Sequence, residues 1–139
     1  MIRLSRREDY AVILVNKLAT SYNKRLIPLS EIAKEYHISV LFLRNLAFEL
    51  KNAGLIKASE GKKGGYTLSK DPKKLRIGDV LRVISQKPML PCCSFGMGRT
   101  SCPKESICEP GHIWRKLHQE FLDKIYSLSL DEFMHYKRT

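Results

Sequence analysis

Apolar residues first recur at helical spacing between positions 10 and 22: Tyr10, Ala11, Ile13, Leu14, Val15, Leu18, Ala19 and Tyr22. Steps of three and four residues line one face of a helix. Just ahead, Ser5-Arg6-Arg7-Glu8 fits a capping box, in which the Ser hydroxyl and the Glu carboxylate each satisfy an open backbone N–H of the first turn. The spacing predicts a helix to about Ser21, ended by Asn23-Lys24-Arg25, with Leu26-Ile27-Pro28 as a short extended link. Ser30 is the expected N-cap of a brief second helix, Glu31–Tyr36, with Ile32, Ala33 and Tyr36 on its inner side. His37-Ile38 makes a tight turn, and Ser39 caps a third helix, Val40–Ala53, whose apolar set is Leu43, Leu46, Ala47 and Leu50, with Phe42 at its margin. Gly54 stands just past its end, where a left-handed residue closes a helix at little cost.

Two short helices joined by a tight turn, the second amphipathic and polar near its start, form a helix-turn-helix pattern. The pattern then changes character. Leu55-Ile56-Lys57-Ala58 and Tyr66-Thr67-Leu68 read as strands flanking Ser59-Glu60-Gly61-Lys62-Lys63-Gly64-Gly65. A glycine-rich hairpin tip with two adjacent lysines, directly after a candidate recognition helix, is what a winged helix presents to a DNA backbone or minor groove. A merely solvated hairpin turn is the plainer alternative. The candidate DNA-binding residues are Ser39, Val40, Leu41, Arg44 and Asn45 on the third helix, and Lys62 and Lys63 on the wing.

Asp71-Pro72 starts a linker, and Ile77–Ser85 is a short helix with Val80, Leu81, Val83 and Ile84 apolar. Further on, Pro110 and Gly111 open a long helix from about His112 to Leu128. Ile113, Leu117, Phe121 and Ile125 recur every fourth residue, and Trp114, Leu122 and Leu128 widen the stripe. So broad an apolar face on a small domain is suited to docking against a second copy, with packing against the first helix as the intramolecular alternative. Ile113, Trp114, Leu117, Phe121 and Ile125 are the candidate dimerisation residues. A last helical turn begins at Ser129-Leu130-Asp131-Glu132-Phe133. The expected fold is mostly α: a winged helix-turn-helix over 1–86, a cysteine-rich loop over 87–111, and a dimerisation helix and tail over 112–139.

Charge sharpens this picture. Residues 1–86 hold 17 Lys/Arg against 8 Asp/Glu, whereas 87–139 hold 8 against 6, within a formal net charge of +11. The basic character therefore belongs to the N-terminal part, and a polyanion is the natural partner, because Lys/Arg contacts to phosphates release counterions. At 139 residues and 43% hydrophobic, the chain has enough apolar material for one core. Its charged start lacks a signal-peptide apolar region, and no uncharged apolar run reaches membrane-spanning length. The expected location is cytoplasmic, with no membrane partner and thiols kept reduced.

All four cysteines, Cys92, Cys93, Cys102 and Cys108, fall in one Gly/Pro-punctuated stretch. Soft ligands confined to a loop suit an iron–sulfur or metal site. Structural zinc sites usually bring thiolates in Cys-x-x-Cys knuckles, and the spacing here is an adjacent pair, then eight intervening residues, then five. Side chains of neighbouring residues tend to point apart, so one of Cys92 and Cys93 serves a given metal atom. On spacing, iron–sulfur ranks ahead of zinc, with reactive thiols or inert cysteines as the remaining readings. No nucleophile–base or acid–base pair emerges, so an enzyme is not expected.

Taken together, the chain resembles the IscR/NsrR-type winged-helix transcription regulators of the Rrf-two superfamily, many of which carry an iron–sulfur cluster. The matching pieces are Arg3-Leu4-Ser5 with Tyr10-Ala11-Val12, Ile38-Ser39-Val40-x-x-Leu43, Lys51-Asn52-Ala53-Gly54-Leu55-Ile56, Gly64-Gly65-Tyr66-Thr67-Leu68, Ile77-Gly78-Asp79-Val80, Cys102-x5-Cys108 and Trp114-x-x-Leu117. The resemblance implies a homodimer crossed through the C-terminal helix and bound to double-stranded DNA at a two-fold operator. It also implies a cluster, four-iron (4Fe-4S) favoured over two-iron (2Fe-2S), held by three Cys of one subunit and a fourth ligand. Those three are Cys93, Cys102 and Cys108, with Cys92 as a possible substitute. IscR-like members place a His where this chain has Gly111; His112 is one residue out of register, which turns it about 100° around a helix. NsrR-like members use an acid directly before the hydrophobic residue that opens the first helix, here Asp9, reaching the partner's cluster. The plain alternative for Asp9 is a first-turn acid that complements the helix dipole. The wing Arg of some IscR-like proteins is replaced by Glu60. Arg44 and Asn45 lie where the family touches bases, and suit guanine and adenine respectively. The implied function is a regulator, in the first instance a repressor, that senses nitric oxide or redox and iron–sulfur status; the alternative is a winged-helix regulator using zinc or reactive thiols.

Overall fold

The computed structural model describes residues 4–85, 103–104 and 106–136. Helix α1 (Arg6–Thr20) starts with the expected capping box: Glu8 N–H donates to Ser5 Oγ at 3.3 Å, and Ser5 N–H donates to the Glu8 carboxylate at 2.6 Å. Helix α2 (Leu29–Tyr36) begins before Ser30, which is not its cap. Pro28 takes that place in an extended conformation with no side-chain capping bond, and its carbonyl accepts from Glu31 N–H at 3.1 Å. A proline fixes its own φ and lacks an N–H, so it sets the entry to a helix without a hydroxyl. His37 then turns the chain in the left-handed region (φ 54°), with Ile38 N–H bonded to the Ala33 carbonyl at 3.0 Å.

Ser39 caps α3 (Val40–Asn52) by accepting from Phe42 N–H, and Gly54 at φ 78° closes it. Strands β1 (Ile56–Ser59) and β2 (Gly65–Leu68) form an antiparallel hairpin with Ile56 opposite Leu68 and Ser59 opposite Gly65. Ile27 exchanges both backbone bonds with Tyr66, at 3.0 and 2.8 Å, so the link before α2 is stitched to the hairpin. Helix α4 (Ile77–Ile84) follows, and its C-cap is Ser85.

The core gathers Leu14 and Leu18 of α1, Ile32 of α2, Leu43, Leu46 and Leu50 of α3, Leu81 and Ile84 of α4, and Leu130, all fully buried. Phe42 sits at its edge, its ring against Tyr10 in an edge-to-face contact with centroids 5.4 Å apart. Helix α5 (Glu109–Ser127) begins at Glu109 rather than His112, with Pro110 in its first turn, where a missing N–H costs nothing. The short α6 (Leu130–Met134) has its own capping box between Ser129 and Glu132. Ile77 N–H bonds the Leu128 carbonyl at 2.9 Å, and Leu130 N–H bonds the Leu75 carbonyl at 2.8 Å. The end of the chain thus returns to the helix-turn-helix core. No described helix is long and apolar enough to cross a membrane.

Candidate functional site

Helix α3 divides cleanly by register. Leu43, Leu46, Ala47 and Leu50 face the core, and the opposite stripe is exposed. Leu41 is 63% and Phe48 64% exposed. Arg44 and Asn45 lie between them, and Lys51 follows, all exposed. Val40 and Ser39 are exposed at the helix start, although the Ser39 hydroxyl is engaged in the cap. Lys62 and Lys63 stand exposed at the tip of the β1–β2 wing. The structure thus brings the expected DNA-facing residues to the outer stripe of one helix and the adjoining hairpin. Phe48 was not among them, yet it sits on the same stripe, a turn beyond Arg44 and Asn45.

The first turn of α1 makes two long-range connections. An Arg7 guanidinium nitrogen donates to both Glu49 carboxylate oxygens, at 2.8 and 2.7 Å, joining α1 to α3. Glu8, almost wholly buried, accepts a 2.6 Å hydrogen bond from the Ser85 hydroxyl at the end of α4. Burial pushes the Glu8 carboxyl up, but the bonds from the Ser85 hydroxyl and the Ser5 N–H outweigh it and hold the group below its ordinary value. Asp9 is exposed, and its carboxylate has no hydrogen bond or ion pair among the described residues.

Of the cysteines, Cys92, Cys93 and Cys102 lie outside the described residues. Cys108 is a free thiol at the N-cap of α5, half-buried. Gly111 is buried against it, and a Cβ at that position would lie 3.3 Å from Cys108 Sγ. Position 111 therefore faces the Cys108 sulfur and contributes no ligand atom of its own. Among the described residues, no three His, Cys, Asp or Glu side chains converge as a metal site. Of the expected ligands, Cys108 and Asp9 fall within the described residues, and Cys108 is not in a disulfide there.

Along α5, Ile113, Trp114 and Leu117 are 58%, 56% and 48% exposed. Phe121 is half-buried. Ile125 is half-buried and packs with Tyr126 against the chain's own core. The exposed apolar residues of α5, Ile113, Trp114 and Leu117, lie in its N-terminal half.

A helix-turn-helix with an exposed second-helix face and a basic wing defines a winged-helix DNA-binding protein. The family model Rrf2, described as iron-dependent transcriptional regulator, matches residues 4–136, and the chain belongs to that family. It is a transcriptional regulator, not an enzyme. Among its relatives, the HTH-type transcriptional regulator IscR of Pectobacterium atrosepticum is 28% identical over 136 residues, covering 98% of this chain and 81% of the relative. The fold matches CymR, the global cysteine regulator of B. subtilis, with a TM-score of 0.78 at 24% identity over 99% of this chain and all of that one. The oxidized form of Staphylococcus aureus CymR gives 0.76 at 27% identity, covering 99% of both chains.

Proposed function

We propose that this regulator binds a two-fold DNA operator as a homodimer, and that its duplex affinity is set by an iron–sulfur cluster held between subunits. Cys93, Cys102 and Cys108 of one subunit would hold the cluster, with Cys92 in reserve and Asp9 of the partner subunit as fourth ligand. When bound, such a cluster supplies an oxygen-ligated iron that is held more weakly than the thiolate-ligated ones and is open to nitric oxide or oxygen. The observation that carries the reading is the first turn of α1. Three of its four consecutive charged residues serve different ends: Arg7 grips Glu49 on α3, Glu8 grips Ser85 where the chain enters the cysteine segment, and Asp9 has no partner among the described residues. Holding or releasing Asp9 would act on a turn already tied to the recognition helix, which is the differential contact a population shift requires.

Dimer formation rests on the exposed Ile113, Trp114 and Leu117 face of α5. Duplex binding rests on the α3 stripe, the wing lysines and the basic N-terminal part. The two-fold operator follows from two such subunits, repression is the first direction of control to test, and the cytoplasm is the location that fits both. Anaerobic purification with iron and acid-labile sulfide analysis tests the cofactor, and visible spectra before and after nitric oxide test the signal. Asp9→Ala is expected to speed cluster loss and blunt the response; an unchanged response removes Asp9 from the ligand set. The second reading, a regulator that senses through zinc or thiols without iron, draws support from the free Cys108 and from the likeness to an oxidized CymR. A colourless anaerobic protein carrying stoichiometric zinc, or metal-free with oxidisable thiols, would favour it.

A further inference from the structure

Among the described residues, Phe48 is neither in the hydrophobic core nor packed against it. It is 64% exposed, while every third or fourth residue on the opposite face of α3 is in the core. Its setting is cationic rather than apolar: Arg44 lies one turn before it and Lys51 one turn after, both exposed on the same stripe. The sole acid of α3, Glu49, is neutralised by the bidentate bond from Arg7. A ring flanked by cations on a helix stripped of free negative charge suits a polyanion with apolar groups in its grooves, not an apolar protein cleft. The major groove of duplex DNA is such a surface, because each thymine presents a 5-methyl group there beside the acceptor and donor edges of its neighbours.

We propose that Phe48 is a base-reading residue whose ring packs on a thymine methyl in the major groove. The proposal rests on duplex binding through α3. From Leu41 to Phe48 the helix rises about 10.5 Å, roughly three base steps at 3.4 Å each. Arg44 and Asn45, at the centre of that span, face the middle of the site, and Phe48 faces the base pairs at its far end. Phe48 thus adds a thymine preference at a position that Arg44 and Asn45 do not reach.

The test starts by selecting duplexes from a randomised pool with the anaerobically purified full chain. Each thymine of the selected duplex is then replaced in turn by uracil, which removes only the methyl. Wild-type protein is expected to lose about fourfold in affinity at one position per half-site, the worth of one buried methyl-sized group. Phe48→Ala is expected to bind the thymine duplex correspondingly more weakly and to be indifferent to uracil there. Its far-ultraviolet circular dichroism is expected to match wild type, since an exposed ring holds nothing in the core. If Phe48→Ala keeps every thymine-to-uracil penalty, the inference is overturned, whether or not its self-association changes. If wild-type protein enriches no sequence and binds no duplex in a salt-dependent way, the DNA reading of α3 fails first, and this one with it.

Discussion

The Glu8 carboxylate, on the first turn of α1, accepts a 2.6 Å hydrogen bond from the hydroxyl of Ser85, 77 residues away at the end of α4. Glu8 also closes the capping box with Ser5. Glu8→Ala leaves the Ser5 side-chain cap in place but removes two hydrogen bonds to a carboxylate, from Ser5 N–H and from the half-buried Ser85 hydroxyl, each worth about 1 kcal/mol or somewhat more. Glu8→Ala is therefore expected to lose about 2–3 kcal/mol in urea unfolding, with Ser85→Ala losing less. Because the folded-state carboxyl is held below its ordinary value of 4.5, this stability is complete above that value and drains as the pH falls through the folded one. In chelator-treated protein the Glu8→Ala deficit should accordingly shrink on acidification. A deficit that stays constant down to the acid transition would show that the charge of Glu8 contributes nothing.

Gly78 of α4 lies against Tyr126 of α5, so closely that an added Cβ would come within 2.8 Å of Tyr126 Cα and 2.7 Å of Cδ1. Because the backbone of α5 is one of the obstacles, rotation of a side chain cannot relieve the clash. Gly78→Ala raises helix propensity by up to about 1 kcal/mol, yet overpacking of this kind costs about 1–3 kcal/mol. A net loss in thermal stability is expected, together with greater proteolytic sensitivity of α5. A gain in melting temperature would mean that the two helices separate freely.

Local chemistry made much of this fold legible in the sequence. The capping box at Ser5, the Ser39 cap and the Gly54 stop each act within four residues, and so do the core stripes of α1 and α3. Ser30 misled because a serine ahead of an apolar run resembles a cap, whereas the preceding Pro28 already sets the helix entry. Phe48 was missed although register could have found it, since a residue a turn beyond Arg44 and Asn45 shares their exposed face. The Arg7–Glu49 and Glu8–Ser85 bonds were not, because they join residues 42 and 77 positions apart. No spacing rule reaches across such separations. The candidate cluster ligands follow from family resemblance, and of these only Cys108 and Asp9 fall within the described residues.

Lys62 and Lys63 stand at the wing tip with no ion pair to a described acid. If each meets one phosphate, Lys62→Ala and Lys63→Ala should weaken duplex binding uniformly across sequences. Each should also reduce the slope of log affinity against log salt by about 1. A change in sequence preference with an unaltered slope would make them base readers instead.

Trp114 and Ile125 lie on the same long helix, but their surroundings give them opposite roles. Trp114 is 56% exposed, so its ring contributes little to the fold of one chain. Ile125 is packed against that chain's own core. Large aromatics at the centre of an interface are its usual energetic anchors, worth about 2 kcal/mol or more on truncation. Trp114→Ala is expected to raise the dissociation constant of self-association by roughly 30-fold or more, read by sedimentation over a concentration series, while helicity is retained. Duplex affinity should fall with it, since two linked half-sites bind more tightly than one. Ile125→Ala should instead lower unfolding stability by about 2 kcal/mol, with self-association reduced only through the unfolded fraction. If Trp114→Ala leaves the association constant untouched and Ile125→Ala abolishes it, the dimer forms through the C-terminal third of α5, and the open face of Ile113, Trp114 and Leu117 belongs to another partner.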